Sequence, residues 1–481
     1  MSALGTASLA NAPEVSLRPQ IRPQGPREPR ATGAQTLIDT AKLGGDVSFA
    51  VVDPASGKVL EAMNGARGLP PASVTKALTA LYALDVLGGD FRFETRLLAT
   101  GPVKDGVLDG DLILAGGGDP TLDTDVFGDM VKRLKAAGVN RVTGRLRCWA
   151  GAVPFVRAID PSQPDHVGYN PSISGLNLNF NRVHFEWKRK GQTYDVTMEA
   201  RTKRYRPAVR AARMDISNRK GPVYVYSDGG DHDQWSVARR ALGNGGARWL
   251  PVRYPHTYAT EVFARLAEVN DISLTAGKPI KSLPDAPMLV SHKSAPLTDI
   301  LQDMLKFSTN LTAELVGMTA SLRRRGRRTG LAVSAREMST WAQTELGMKN
   351  ARLADHSGLS DASRLTAVDL AKALARFGKS EMLKPILKPI TLRDKNGSPN
   401  KGHPIQVAAK TGTLYFVSSL AGYATTPKGK DLAFAIFTAN DDLRAKVDSK
   451  NDTRPQGSKS WNTRSKRLQQ QLIERWSTLY G

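Results

Sequence analysis

A serine placed three residues before a lysine can act as a nucleophile that carries its own base, and Ser73-Val74-Thr75-Lys76 has that spacing. On a helix, positions i and i+3 share a face, so the two side chains can touch. A serine hydroxyl is a weak nucleophile until a base takes its proton. Lys76 can be that base if burial and a neighbouring cation lower its pKa towards neutrality, and Lys410 is a candidate for that cation. Ser308-Thr309-Asn310 supplies a hydroxyl that can hand the proton to a leaving amine and an amide that can fix Lys76 while holding a substrate amide. Lys410-Thr411-Gly412, followed by Thr413, is the third group. A serine–lysine pair alone arises by chance in any chain of this length. The weight lies in the three groups together and in what surrounds them.

The surrounding elements put each group where such chemistry needs it. Pro70-Pro71 precedes a helix on which Val74, Ala77, Leu78, Leu81 and Leu84 recur at helical spacing, and Gly88-Gly89 closes it. Ser73 opens that helix. Ser308-Thr309-Asn310 lies in a stretch, from 293 to about 390, that reads as mainly helical. Val407 to Lys410 and Leu432 to Phe437 read as buried strands, with Lys410-Thr411-Gly412 at the end of the first. Residues 47–53 and 58–63, separated by Pro54-Ala55-Ser56-Gly57, read as a hairpin. From about 92 to 290 the pattern is rich in strands and turns. Leu468, Leu472, Trp476 and Leu479 mark a terminal helix packed on a sheet. Folding is expected to begin near Ala34, after a Pro- and Arg-rich linker. Met1 to Ala12 is small and apolar, with Ser8-Leu9-Ala10 fitting a signal-peptidase site, so residues 1–33 read as the remnant of an export signal plus that linker.

Composition bounds the rest. The 481 residues, 40% hydrophobic, suit a folded chain of about three domains. Cys148 is the one cysteine, which excludes an internal disulfide and a cysteine metal cluster. No apolar run reaches 18 residues, so no transmembrane helix is expected. The net charge of +23 attracts anionic partners, a cell-wall polymer or a membrane surface among them. No nucleic-acid motif accompanies the basic runs at Arg323 to Arg328 and Arg201 to Arg213, and no nucleic acid is expected as a partner. A G-x-S-x-G elbow and an H-E-x-x-H zinc motif are both missing.

The triplet of Ser73-Val74-Thr75-Lys76, Ser308-Thr309-Asn310 and Lys410-Thr411-Gly412 resembles the active-site motifs of penicillin-binding proteins and serine β-lactamases. The long stretch from Ser73 to Ser308 demands an insertion that a class A β-lactamase lacks. That layout resembles the penicillin-binding protein 4 type of D-alanyl-D-alanine carboxypeptidase/endopeptidase, the S13 peptidases. Leu112 to Leu122 with Gly116-Gly117-Gly118-Asp119-Pro120, Ser294 to Glu314, and Asp355 to Ser360 match as well.

The resemblance implies an α/β (α+β) architecture. A β-lactamase/transpeptidase-like catalytic domain would be split over 34–91 and 291–481, with a mostly β insertion of two domains at 92–290. It implies a serine DD-peptidase in the periplasm, acting on peptidoglycan stem peptides and their D-alanyl-diaminopimelate cross-links and acylated by β-lactam antibiotics. Ser73, Lys76, Ser308, Asn310 and Lys410 would be catalytic. Thr411, Gly412 and Thr413 would bind substrate: the amides of Ser73 and Thr413 would hold the oxyanion, and the hydroxyls of Thr411 and Thr413 with Lys410 the terminal carboxylate. Neither a metal nor a cofactor is called for. Two departures stand out: Cys148-Trp149-Ala150-Gly151 occupies the place of the family's acidic residue for the diaminopimelate side chain, for which Asp160 or Asp165 could substitute, and His356 replaces a glycine beside Ser357. A catalytically weak wall-binding protein of the same fold is the alternative. A β-lactamase is a further one, opposed by the lack of an E-x-x-L-N element between Asn310 and Lys410.

Overall fold

The computed structural model describes residues 31–378, 382–448, 450 and 455–481. The expected signal remnant and nearly all of the linker lie outside the described residues. Folding starts with a helix at Ala34–Ala41.

A six-stranded antiparallel sheet organises one half of the described chain. Its order is Lys388–Pro389, Gln406–Leu414, Val417–Thr425, Asp431–Ala439, Asp46–Val52, Val59–Met63. Val417–Thr425 and Asp431–Ala439 are buried along almost their whole length. That is why Leu432 to Phe437 reads as a continuous apolar run: both faces of the sheet are covered. One face carries Thr75–Leu87, Leu297–Phe307, Asn310–Arg325, Leu331–Leu346 and Ala367–Gly378, in a core that includes Leu78, Leu81, Trp341 and Phe437. The other face is closed by Ala34–Ala41 and the terminal helix Ser458–Tyr480. On that helix Leu468, Leu472 and Trp476 are buried and Leu479 is exposed. No helix among the described residues is long and apolar enough to cross a membrane.

The chain leaves this half after Gly88 and returns on Met288–Lys293. The first long strand of the excursion, Glu94–Ala99, pairs antiparallel with Met288–Lys293, so the insertion begins and ends side by side. Such placement lets a domain interrupt another without distorting it. One apolar core runs through the insertion, joining Leu97, Leu114, Phe185, Trp235 and Phe263. The region read as strands and turns also holds two long helices, Thr124–Ala136 and Pro255–Glu268. The first is capped by Asp123, whose carboxylate accepts from the Val126 amide. The second has Pro255 in its first turn.

Candidate active site

Ser73 sits in a single 3-10 turn, Ala72–Val74, that leads into the helix Thr75–Leu87. Ala72 adopts a left-handed backbone (φ 47°), a conformation an L side chain pays for with ~1–3 kcal/mol of strain. The turn is pinned on several sides. Thr75 Oγ1 donates to the Ala72 carbonyl (2.9 Å). Gly412 packs so close that a Cβ there would lie 2.7 Å from the Pro71 carbonyl and 3.1 Å from the Ser73 nitrogen. Gly358, at φ +72°, lies against the Ala72 carbonyl in the same way. The glycines therefore bring the Gln406–Leu414 strand and the loop around Ser357 into contact with the turn that carries Ser73.

Lys76 is completely buried one helical turn on. Its Nζ donates to Ser73 Oγ (3.0 Å), Asn310 Oδ1 (2.7 Å) and the Ser357 carbonyl (2.7 Å). An ammonium has three protons, and all three are engaged. Burial pushes its pKa down to about 8, against the pull of the nearby Asp355 and Glu314 carboxyls. Lys410, almost as deeply buried, donates to Ser308 Oγ (3.0 Å) and to the Thr411 carbonyl (2.8 Å). Burial first, and the charge of Lys76 and Lys388 next, push Lys410 down to about 6.

Ser308 does not lie inside a helix, as the sequence pattern suggests. It occupies a left-handed break (φ 58°) between Leu297–Phe307 and Asn310–Arg325, and the break turns its hydroxyl towards Lys410. The strand carrying Lys410 likewise runs on to Leu414 rather than ending at Gly412. Its short outer neighbour pairs only with Ala408 and Ala409, so among the described residues Lys410 to Leu414 form a free sheet edge. A free edge is a template for an extended peptide.

A cleft of about 1510 Å³ opens on these groups. Ser73, Ser308, Asn310 and Thr413 line it, while Thr411 and Gly412 do not. Asp160 from the insertion reaches the cleft and Asp165 does not. Cys148 is buried in the insertion's core, where burial raises its thiol pKa, and none of Cys148 to Gly151 lines the cleft. Among the described residues no group of three or more His, Cys, Asp and Glu side chains could hold a metal ion.

Two buried carboxyls were not singled out by the motifs. Glu314, one turn after Asn310, accepts from the backbone amides of His356 and Ser357 (2.9 Å each). Asp355 accepts from those of Gly358 (2.6 Å) and Ser360 (2.7 Å). Together they shape the loop that offers the Ser357 carbonyl to Lys76. Burial raises both pKa values, that of Glu314 to about 8. Glu314→Gln keeps the shape but turns a donor on one of the two amides. We expect a loss of ~1–3 kcal/mol in denaturant unfolding, the scale of one orphaned buried donor. His356 is buried and neutral, its pKa pushed to about 3 by burial, with Nε2 2.7 Å from Ser334 Oγ. It fits because Gly317 leaves room: a Cβ there would stand 2.2 Å from the ring. The ring nitrogens meet Ser334 Oγ and Met338 Sδ rather than the Ser73 hydroxyl.

Known proteins share this layout. The chain is 28% identical over 438 residues to a D-alanyl-D-alanine carboxypeptidase of Actinomadura sp. (strain R39), covering 83% of this chain and 79% of that one. It is 25% identical over 430 residues to the D-alanyl-D-alanine carboxypeptidase DacB of Haemophilus influenzae, covering 83% and 86%. The crystal structure of penicillin binding protein 4 from Haemophilus influenzae superposes with a TM-score of 0.73 at 20% identity, over 92% of this chain and 99% of that one. The family model of the D-Ala-D-Ala carboxypeptidase 3 (S13) family matches residues 31–457, and the chain belongs to that family.

Proposed function

We propose that this chain is a serine DD-peptidase that opens D-alanyl-D-alanine bonds of peptidoglycan stem peptides through an acyl-enzyme on Ser73. The observation that carries the reading is the buried Lys76 ammonium, shared between Ser73 Oγ, Asn310 Oδ1 and the Ser357 carbonyl. In its neutral form Lys76 takes the Ser73 proton as Oγ attacks the carbonyl of the penultimate D-alanine. The oxyanion forms beside the amides of Ser73 and Thr413, on backbone segments that Gly412 brings together. Lys410, with the hydroxyl of Thr413, receives the terminal carboxylate. Ser308 delivers a proton to the departing D-alanine amine, and a water then releases the shortened peptide and restores Ser73. The same steps would open a D-alanyl-diaminopimelate cross-link, because the scissile bond again follows a D-alanyl carbonyl. A β-lactam carries an equivalent acyl group and carboxylate and enters the same reaction.

We also read residues 34–91 and 291–481 as one catalytic domain interrupted by the 92–290 insertion. The pairing of Glu94–Ala99 with Met288–Lys293 supports it. Since the substrate lies outside the cytoplasmic membrane, the chain is read as exported, into the periplasm. The alternative of an inactive wall-binding protein has no support in a site whose lysines are this fully engaged.

The direct experiment supplies an acyl-D-alanyl-D-alanine peptide and measures free D-alanine. The wild type should release it and Ser73→Ala should not. Release by Ser73→Ala at the wild-type rate, or none by the wild type, would sink the proposal.

A further inference from the structure

One wall of the active-site cleft belongs to the insertion, in the segment 157–172, which contributes Asp160, Gln163 and Tyr169. This segment is a loop closed at its neck, where Val156 and Ile173 exchange both backbone hydrogen bonds (3.0 and 2.8 Å). It has neither helix nor strand of its own; its turns satisfy the Asp160, Pro164 and Val167 carbonyls, and Ser172 Oγ donates to that of Arg157 (2.6 Å), but further bonds to its carbonyls come from outside the loop.

Arg253 supplies three of them. Only 2% of this residue is exposed. Its Nη1 donates to the carbonyls of Arg157 (3.0 Å) and Asn170 (2.7 Å), and its Nη2 to that of Asp165 (2.9 Å). Among the described residues its guanidinium makes no ion pair within 4.0 Å. Its charge is met by carbonyl dipoles spread along the loop. The Arg253 backbone is anchored in turn: its amide donates to Asp233 Oδ2 (2.8 Å), and Tyr226 donates to the other oxygen of that carboxyl (3.0 Å). A guanidinium presents five donors in a rigid planar fork, whereas the three of an ammonium turn freely at the end of a flexible stem.

What the loop then touches is Asn310. Its Nδ2 donates to the Tyr169 carbonyl (2.8 Å), while its Oδ1 accepts from Lys76 (2.7 Å). The two ends of an amide are not interchangeable, for one only donates and the other only accepts. With the Tyr169 carbonyl in place, the NH2 end must face the loop and the oxygen must face Lys76. Without it, rotation of the amide would set donor against donor at the lysine.

We propose that Arg253 is a positioning residue of the active site: by tying the 157–172 loop it holds the Tyr169 carbonyl on Asn310, and so fixes the Asn310 amide with its oxygen towards Lys76. The insertion thereby completes a catalytic centre that the split domain alone leaves free to rearrange. The base of the loop has independent support, since Val153, Ile159 and Ile173 pack against Leu311, Leu315 and Met318 on the Asn310 helix. Replacing Arg253 should therefore release the carbonyls without detaching the loop.

This inference rests on Ser73 being the acylated nucleophile, and the test separates the two. Acylation by benzylpenicillin is timed by intact-mass spectrometry in wild type, Arg253→Met, Asn310→Ala and the double variant. Arg253→Met should slow acylation about tenfold when Asn310 is present and less than about twofold in the Asn310→Ala background, the signature of residues acting in series. Arg253→Lys should fall between wild type and Arg253→Met, and it replaces Arg253→Met throughout if the latter shows no cooperative thermal unfolding. Equal slowing in both backgrounds, or none in either, overturns the role of Arg253. A wild type that takes up no penicillin overturns instead the reading of Ser73.

Discussion

After incubation with a penicillin, the wild-type protein should carry one covalent adduct, and digestion should place it on the peptide containing Ser73. Ser73→Ala should carry none. Lys76→Ala should slow adduct formation by ~10²-fold or more, the usual scale for losing a general base. Three contacts end on the Lys76 ammonium, so its removal also frees Asn310 and the Ser357 carbonyl. The adduct should persist. A class A β-lactamase hydrolyses its acyl-enzyme with the glutamate of an E-x-x-L-N element, and the sequence between Asn310 and Lys410 has none. A label on another serine would overturn the assignment of all three motifs. Rapid loss of the adduct would favour a β-lactamase.

The two buried lysines should separate in their dependence on pH. With Lys76 as the proposed base, the rate constant for acylation at saturating penicillin should depend on its neutral form. Since burial holds that group near 8, the rate should rise by about 50-fold between pH 6 and pH 8 and then level off. Binding of the penicillin carboxylate requires cationic Lys410, whose proton is lost near 6 in the free protein. A bound carboxylate restores that proton. The dissociation constant should therefore be smallest below pH 6 and grow by up to about tenfold per pH unit above it. Stopped-flow measurement of rate against penicillin concentration at each pH resolves the two limbs. Limbs of the opposite sign, or a rate constant independent of pH, would remove Lys76 as the base.

Much of the centre could be read from the sequence because it is written in local geometry. The spacing of Ser73 and Lys76 implies their contact once the apolar positions from Val74 to Leu84 mark a helix, and Gly88 ends that helix with a positive φ (83°). The hairpin of Asp46–Val52 and Val59–Met63 and the buried strand Asp431–Ala439 announced themselves through apolar runs between turn residues. What escaped was set by tertiary contact. Ser308 takes a left-handed backbone that a non-glycine residue rarely adopts, so its pattern read as uninterrupted helix. Glu314 and Asp355 each bond two backbone amides, contacts that leave no trace in side-chain spacing. Arg253 was one basic residue among many. The helices of the insertion were legible in hindsight: Asp123 before Phe127, Met130, Val131 and Leu134 is a cap followed by an apolar stripe.

The strand pairing of the central sheet has a bearing on how the protein is made. Asp46 lies opposite Ala439 and Val52 opposite Ala433, so the strand Asp46–Val52, paired early with Val59–Met63, finds its second neighbour only when nearly the whole described chain has been synthesised. Until then Ser73 and Lys76 lack both the Lys410 strand and the loop that offers the Ser357 carbonyl. Contacts so distant along the chain slow folding, because the closing entropy must be met before any of them forms. The insertion has its own core, with its first and last strands paired, and can fold as a unit in the interval. A growing chain of this design is thus inert towards peptides until its last strands arrive, and the catalytic centre is among the final parts to be assembled.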